Sequence, residues 1–179
     1  MKTRLFFLVA ILPLISFAQT NSSSFVDNTL HYLRVNGTQE LYEDAVDQLF
    51  VLLKQQYASQ NVPESVWTEL KESKTKSVND LKAIMVSAYR AHFNNEDIKN
   101  MIAFYESDAG QQLKADRSKL TDEQRREVGV FYKTVAGQKI IDTQAELTKI
   151  VGQISQDWSS ALYREMTGRL KEKGFTRPQ

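Results

Sequence analysis

Cysteine is absent from this chain of 179 residues, proline occurs three times and glycine seven times. Without cysteine there are no disulfides, no zinc sites built on thiolates, no thiol nucleophile and no thiol redox couple. Scarce proline and glycine leave long stretches in which nothing interrupts a helix. Charge of one sign is also lacking: 23 Lys+Arg face 22 Asp+Glu, so nothing argues for a nucleic-acid backbone as partner. There are two histidines, His31 and His92, whereas a metal site needs several ligands, commonly a His pair at i, i+3 or i, i+4. Gly-x-Gly-x-x-Gly and the phosphate loop with Lys-Ser/Thr are missing. No segment sustains a period-two alternation, so no sheet is expected.

The one long apolar run lies at the N-terminus. Lys2 and Arg4 form a short positive region, and residues 5–15 form an apolar run too short to span a bilayer of ~30 Å as a helix. Ser16-Phe17-Ala18 supplies small residues at the positions a signal peptidase reads, so cleavage after Ala18 is expected, with an uncleaved anchor as the alternative. No Cys follows, which excludes a lipid-modified N-terminal Cys. Losing Lys2 and Arg4 leaves 21 basic against 22 acidic side chains, a net charge of −1. The expected organisation is a signal peptide over 1–18, a polar linker over 19–24, one all-helical domain over 25–173 and a frayed tail over 174–179. No membrane span is expected after the signal is removed.

Helical spacing accounts for the rest. A short helix is expected over 25–35, with Phe25, Leu30 and Leu33 inward, closed by Asn36-Gly37 as a left-handed cap. Thr38 is expected to cap the next helix, which runs to about residue 58. Its broad apolar face comprises Leu41, Ala45, Val46, Leu49, Phe50, Leu52, Leu53 and Tyr57. Pro63 restarts a helix at its first turn, and Val66, Trp67 and Leu70 begin its stripe. The polar stretch 71–77 reads as a kink or an exposed continuation. Leu81, Ile84, Met85, Ala88 and Tyr89 resume the stripe to Phe93, and Asn94 with Asp97 opens a helix over 95–106. The last segment, 135–172, carries Ile140, Leu147, Ile154 and Ala161 seven apart, joined by Val151, Trp158, Leu162, Met166 and Leu170 in a core-facing stripe.

One block occurs twice. Phe104-Tyr105-Glu106-Ser107-Asp108-Ala109-Gly110-Gln111 returns as Phe131-Tyr132-Lys133-Thr134-Val135-Ala136-Gly137-Gln138, an offset of 27 residues. Aligned at that offset, 96–121 and 123–148 are identical at eight of 26 positions. Such self-similarity reads as a duplicated supersecondary unit, here a helical corner. Ser107 and Thr134 stand where a hydroxyl caps the following helix, and Thr121 with Gln124 makes a capping box. Gly110 and Gly137 let the new helix pass close to the old one.

These residues carry a resemblance. Tyr89, His92 and Phe93, an acidic helix start, and then Phe104, Tyr105, Ser107 and Gly110 resemble the bacterial domain-of-unknown-function 2059 family over roughly 80–120. The family usually places Pro after the Ser, where this chain has Asp108. The resemblance implies an exported helical domain and transfers no catalytic residue, metal or cofactor.

Consecutive helical residues point about 100° apart. One ring of each Phe-Tyr pair can therefore enter the core while the other faces a groove. Two readings stay open. In one, Phe104, Tyr105, Phe131 and Tyr132 are packing residues. In the other, Tyr105, Tyr132, Gln111 and Gln138 line a shared groove. Ser107 reads as a cap, because its only candidate base is His92. His92 reads as a partly buried side chain ordering the Tyr89–Phe93 turn, and His31 as a surface residue. The expected fold is all-α, a single irregular bundle of five to seven helices. The expected role is binding or scaffolding in the bacterial envelope, without enzymatic activity, cofactor or metal; the partner would be an envelope protein or an apolar ligand, and the sequence specifies neither its identity nor the oligomeric state of this chain. The alternatives are a carrier or chaperone for an apolar ligand or peptide held between helices and, behind it, a hydrolase.

Overall fold

A computed structural model describes residues 16–176, and every regular element among them is helical. In chain order these are α1 (Ser16–Val35), α2 (Thr38–Gln56), α3 (Glu64–Lys71), α4 (Lys74–Arg90), α5 (Asn95–Glu106), α6 (Asp108–Ala115), α7 (Asp122–Phe131) and α8 (Val135–Glu172). Single 3-10 turns follow α2 and α6. The all-α expectation holds. The polar stretch 71–77 contains a kink at Glu72–Ser73, so α3 and α4 count as one bent helix within the expected range. The expected export signal lies for the most part outside the described residues.

Element ends follow local chemistry. Gly37 has φ +86, a left-handed backbone that closes α1 as the Asn36-Gly37 pair foretells. Thr38 is not the cap of α2. It is the first helical residue, and its N–H is satisfied by Asn36 Oδ1 at 3.0 Å. Pro63 is likewise one step earlier than expected, serving as N-cap of α3 while its carbonyl accepts from Val66 N at 3.0 Å. The stretch 19–24, expected as a polar linker, is helical within α1. No proline or glycine interrupts 16–35, and Ser24 and Asn28 both hydrogen-bond to Asn95 at the start of α5 at 2.8 Å.

Helix α4 is central: α1, α2 and α8 pack against it, and α1 and α8 also pack against α5. Its buried row includes Val78, Leu81, Met85 and Tyr89, meeting Leu33 of α1, Val46, Phe50 and Leu53 of α2, and Met166 and Leu170 of α8 in one core. Helix α8 has 38 residues, or about 57 Å at 1.5 Å per residue, and spans the molecule. Lys139 reaches Asp97 at the start of α5, Trp158 Nε1 donates to Ser77 Oγ at 3.0 Å at the start of α4, and Lys173 Nζ reaches Glu69 of α3 at 2.7 Å.

Three apolar faces differ from expectation. On α2 the inward row is Tyr42, Val46, Phe50, Leu53 and Tyr57, whereas Leu41 (64% exposed) and Leu52 (44% exposed) turn outward. The buried set follows one 3.6-residue row, and Leu41 and Leu52 lie off it. On α4 Ile84 is exposed and Lys82 is buried, its aliphatic stem in the core and its Nζ on Gln39 Oε1 at 2.6 Å. On α8 Leu162, Met166 and Leu170 are buried as expected, but the seven-residue spacing does not hold to Ala161, which is exposed. A strict heptad drifts ~20° per repeat on a straight helix, so over three heptads the buried face moves to a new row.

Candidate functional site

Helix α5 starts with a two-way box: Asp97 N donates to Asn94 Oδ1 at 2.9 Å and Asn94 N donates to Asp97 Oδ2 at 2.8 Å. Asp97 is buried, and Lys139 Nζ of α8 adds an ion pair to the same oxygen. At the other end of α5, at the α5–α6 corner, Ser107 Oγ accepts from Gly110 N at 3.2 Å and donates to Phe104 O at 2.8 Å. At the α7–α8 corner, Thr134 Oγ1 accepts from Gly137 N at 3.1 Å and donates to Phe131 O at 2.7 Å. The amides match as well: Gln111 Nε2 donates to Tyr105 O, and Gln138 Nε2 to Tyr132 O. Thr121 Oγ1 accepts from Gln124 N at 3.1 Å and Gln124 Oε1 accepts from Thr121 N at 3.0 Å, which starts α7.

The glycines explain how the corners close. A Cβ on Gly110 would lie 2.7 Å from Tyr105 Cα and closer still to Phe104 O. One on Gly137 would lie 2.6 Å from Tyr132 Cα and closer still to Phe131 O. Each helix start therefore presses on the backbone of the helix before it, and no side chain fits between.

The two corners meet through their rings. Phe104 and Phe131 stack with centroids 3.9 Å apart and planes 3° from parallel. Both are buried, while Tyr105 and Tyr132 are half-buried. From Tyr105 the contacts continue to Tyr32 of α1 (5.7 Å), then to Tyr89 of α4 (5.5 Å) and Phe93 (5.9 Å). Burial first, then the neighbouring tyrosine hydroxyls, pushes Tyr89 and Tyr105 up to about 12, and Tyr32 well above its ordinary value. Tyr32 is the member that the sequence reading left out. Its signal is its place on the inward row of α1, beside Leu33 and one turn after Thr29.

His92 does not join this array. Its ring is edge-on to Phe93 at 6.4 Å, and its Nε2 is buried with no hydrogen-bond partner among the described residues. His31 lies elsewhere, paired with Glu106 at 2.8 Å.

The concave surfaces lie beside the array. Between the start of α2 and helix α6 is an open cleft of about 940 Å³. Asn36, Glu40, Leu41 and Asp44 form one wall, and Asp108, Gln111, Gln112 and Lys114 the other. Of the four residues expected to share a groove only Gln111 reaches it; Gln138, Tyr105 and Tyr132 do not. A smaller groove of about 380 Å³ runs along α8 between Tyr89, Ile140, Leu147 and Val151. The Ser107 hydroxyl is engaged as both donor and acceptor in the corner, as a cap. Among the described residues no group of three or more His, Cys, Asp or Glu is placed to hold a metal ion, and no helix is long and apolar enough to cross a membrane.

A family model described as an uncharacterized protein conserved in bacteria (DUF2059) matches residues 79–123. The match runs from the first turns of α4 through α5 and the first Phe-Tyr corner to the start of α7; the second corner lies beyond it. No curated protein and no solved structure matches the chain. Over residues 79–123, then, the chain is similar to this bacterial family, and Tyr89, His92, Phe104, Tyr105, Ser107 and Gly110 lie in the stretch that carries the likeness.

Proposed function

We propose that this chain is an exported, non-enzymatic helical protein of the bacterial envelope that works by binding, with the cleft between α2 and α6 as its contact surface. The observation that carries the reading is the cleft itself. It is about 940 Å³, and Glu40, Asp44, Asp108 and Lys114 on its walls have no ion-pair partner among the described residues. Charges that join helices elsewhere do have partners, as Lys74 with Asp47 and Arg169 with Glu69. Three unpaired carboxylates against one ammonium favour a partner that brings basic groups, such as a polar segment of another envelope protein. The two Phe-Tyr corners supply the support: a duplicated unit whose hydroxyls and amides are spent on closing the corners. Export rests on the charged start, the short apolar run and Ser16-Phe17-Ala18.

A carrier for an apolar ligand is the second reading. The groove beside Tyr89 favours it, although that groove is less than half the volume of the cleft. The test is purification of the protein from its own host. The mature chain is expected to begin at Gln19 and to co-purify with a partner that Glu40→Lys with Asp44→Lys releases. Full-length protein held in the inner membrane would overturn export. A partner retained by the double variant would move the contact away from the cleft.

A further inference from the structure

The C-terminal half of α8 carries its cations in two groups. Arg169 and Lys173 face α3 and share Glu69, at 3.6 and 2.7 Å. Arg164 and Lys171 lie on a different face, and their side chains have no ion-pair or hydrogen-bond partner among the described residues. They flank a groove of about 490 Å³ whose apolar walls are Tyr57, Tyr163 and Phe175. Gly174, at φ +91, ends the helix so that Phe175 N donates back to Leu170 O at 2.9 Å, which turns the Phe175 ring onto the groove. Among the described residues no carboxylate side chain lines it.

Gly168 forms part of the groove wall. Glycine in a helix interior is unfavourable relative to alanine by about 1 kcal/mol. Here a Cβ would meet nothing within 4 Å, so nothing inside the molecule requires the glycine. Its effect is to keep the groove deep.

We propose that this groove binds a long-chain carboxylate, with the apolar chain against Tyr57, Tyr163, Gly168 and Phe175 and the head group on Arg164. The volume lies within the range of small-ligand sites. An acyl chain suits the walls better than a peptide does, because the Tyr163 and Thr167 hydroxyls and the backbone of α8 are already used. The Tyr163 hydroxyl donates to Gln56 Oε1 at 2.9 Å, the Thr167 hydroxyl donates to Tyr163 O at 2.9 Å, and the backbone of α8 is internally bonded. A peptide would leave its own amides unpaired against such a surface. Of the two cations, Lys171 stands in the last turn, where the helix carbonyls already attract it and repel an anion. Arg164 is two turns away from that end and can hold a carboxylate with two parallel N–H donors.

The test is calorimetric titration of the full chain with laurate below its micelle-forming concentration, beside lauryl alcohol. Saturable binding of laurate is expected, with lauryl alcohol weaker by about tenfold or more for want of a charge-assisted head-group contact. Arg164→Gln should weaken laurate by a similar factor, and Lys171→Gln should change it by less than about threefold. Gly168→Leu fills the groove, so laurate binding is lost while thermal stability stays at or above that of the parent. No saturable laurate binding overturns the proposal. So does equal affinity for the alcohol, or a Gly168→Leu variant that binds as the parent does. None of these outcomes bears on the cleft between α2 and α6.

Discussion

At the scale of single residues, the seven glycines divide by what a methyl group would meet. At Gly110 and Gly137 it would meet the backbone of the preceding helix at under 3 Å. At Gly129 and Gly152 it would meet nothing within 4 Å. Alanine scanning should therefore change sign along one chain. Gly110→Ala and Gly137→Ala are expected to destabilise by overpacking, at about 1–3 kcal/mol each, because a backbone cannot rotate out of the way as a side chain can. Gly129→Ala and Gly152→Ala are expected to stabilise by up to ~1 kcal/mol, the helix-propensity difference. Urea unfolding midpoints of the four variants decide it. A Gly110→Ala protein as stable as the parent would mean that the corner can open without loss.

At the scale of elements, α7 is the weakest attachment. Of its ten residues only Phe131 is buried, and its N-terminus depends on the Thr121–Gln124 box on an exposed surface. Helix α4 is buried along its length against three neighbours. Hydrogen exchange should find the α7 amides opening well before those of α4, since local opening follows local burial. Thr121→Ala removes half of the box and should cost on the order of 1 kcal/mol while raising exchange in α7 selectively. Uniform exchange across α4 and α7 would contradict that order. The start of α7 was plain in the sequence because a capping box is a local pattern: Thr121, Gln124 and the acidic pair Asp122–Glu123 lie within four residues. The same holds for Asn94 with Asp97, for Gly37 and for the doubled Phe-Tyr-x-Ser/Thr-x-Ala-Gly-Gln corner. What the sequence did not disclose depends on distant partners. Lys82 is buried because Gln39, 43 residues away, accepts its hydrogen bond, and hydropathy alone sends a lysine outward. Tyr32 belongs to the ring array because α1 crosses α5, and Ile84 is exposed because α8 and α2 approach α4 on other rows. The Gln111 and Gln138 amides could equally have faced a groove by sequence; their placement on Tyr105 O and Tyr132 O follows from the tightness of the corners.

At the scale of the whole molecule, the tyrosine array couples the helices to pH. Tyr32, Tyr89 and Tyr105 come from α1, α4 and α5, and the Tyr32 ring meets the other two with centroids 5.5 and 5.7 Å away. Their hydroxyls are harder to ionise in the fold than in the unfolded chain, whose value is 10.0, because burial and neighbouring tyrosines oppose the phenolate. A group that keeps its proton longer when folded binds more protons in the native state once the pH passes its unfolded value. Its contribution to stability is therefore complete below pH 10 and is lost as the pH rises toward the folded value of about 12 for Tyr89 and Tyr105. Urea midpoints should be flat through neutral and mildly alkaline pH and then fall between about 10 and 12. Tyrosinate absorbance should rise in the same interval with the loss of helix seen by circular dichroism. Tyr105→Phe removes one phenol without removing its ring, so the fall should become shallower while the neutral-pH stability changes little. Phenolate absorbance that rises at the ordinary value while the helices stay intact would show that these hydroxyls reach water freely. The array would then be a surface of the molecule, not part of its core.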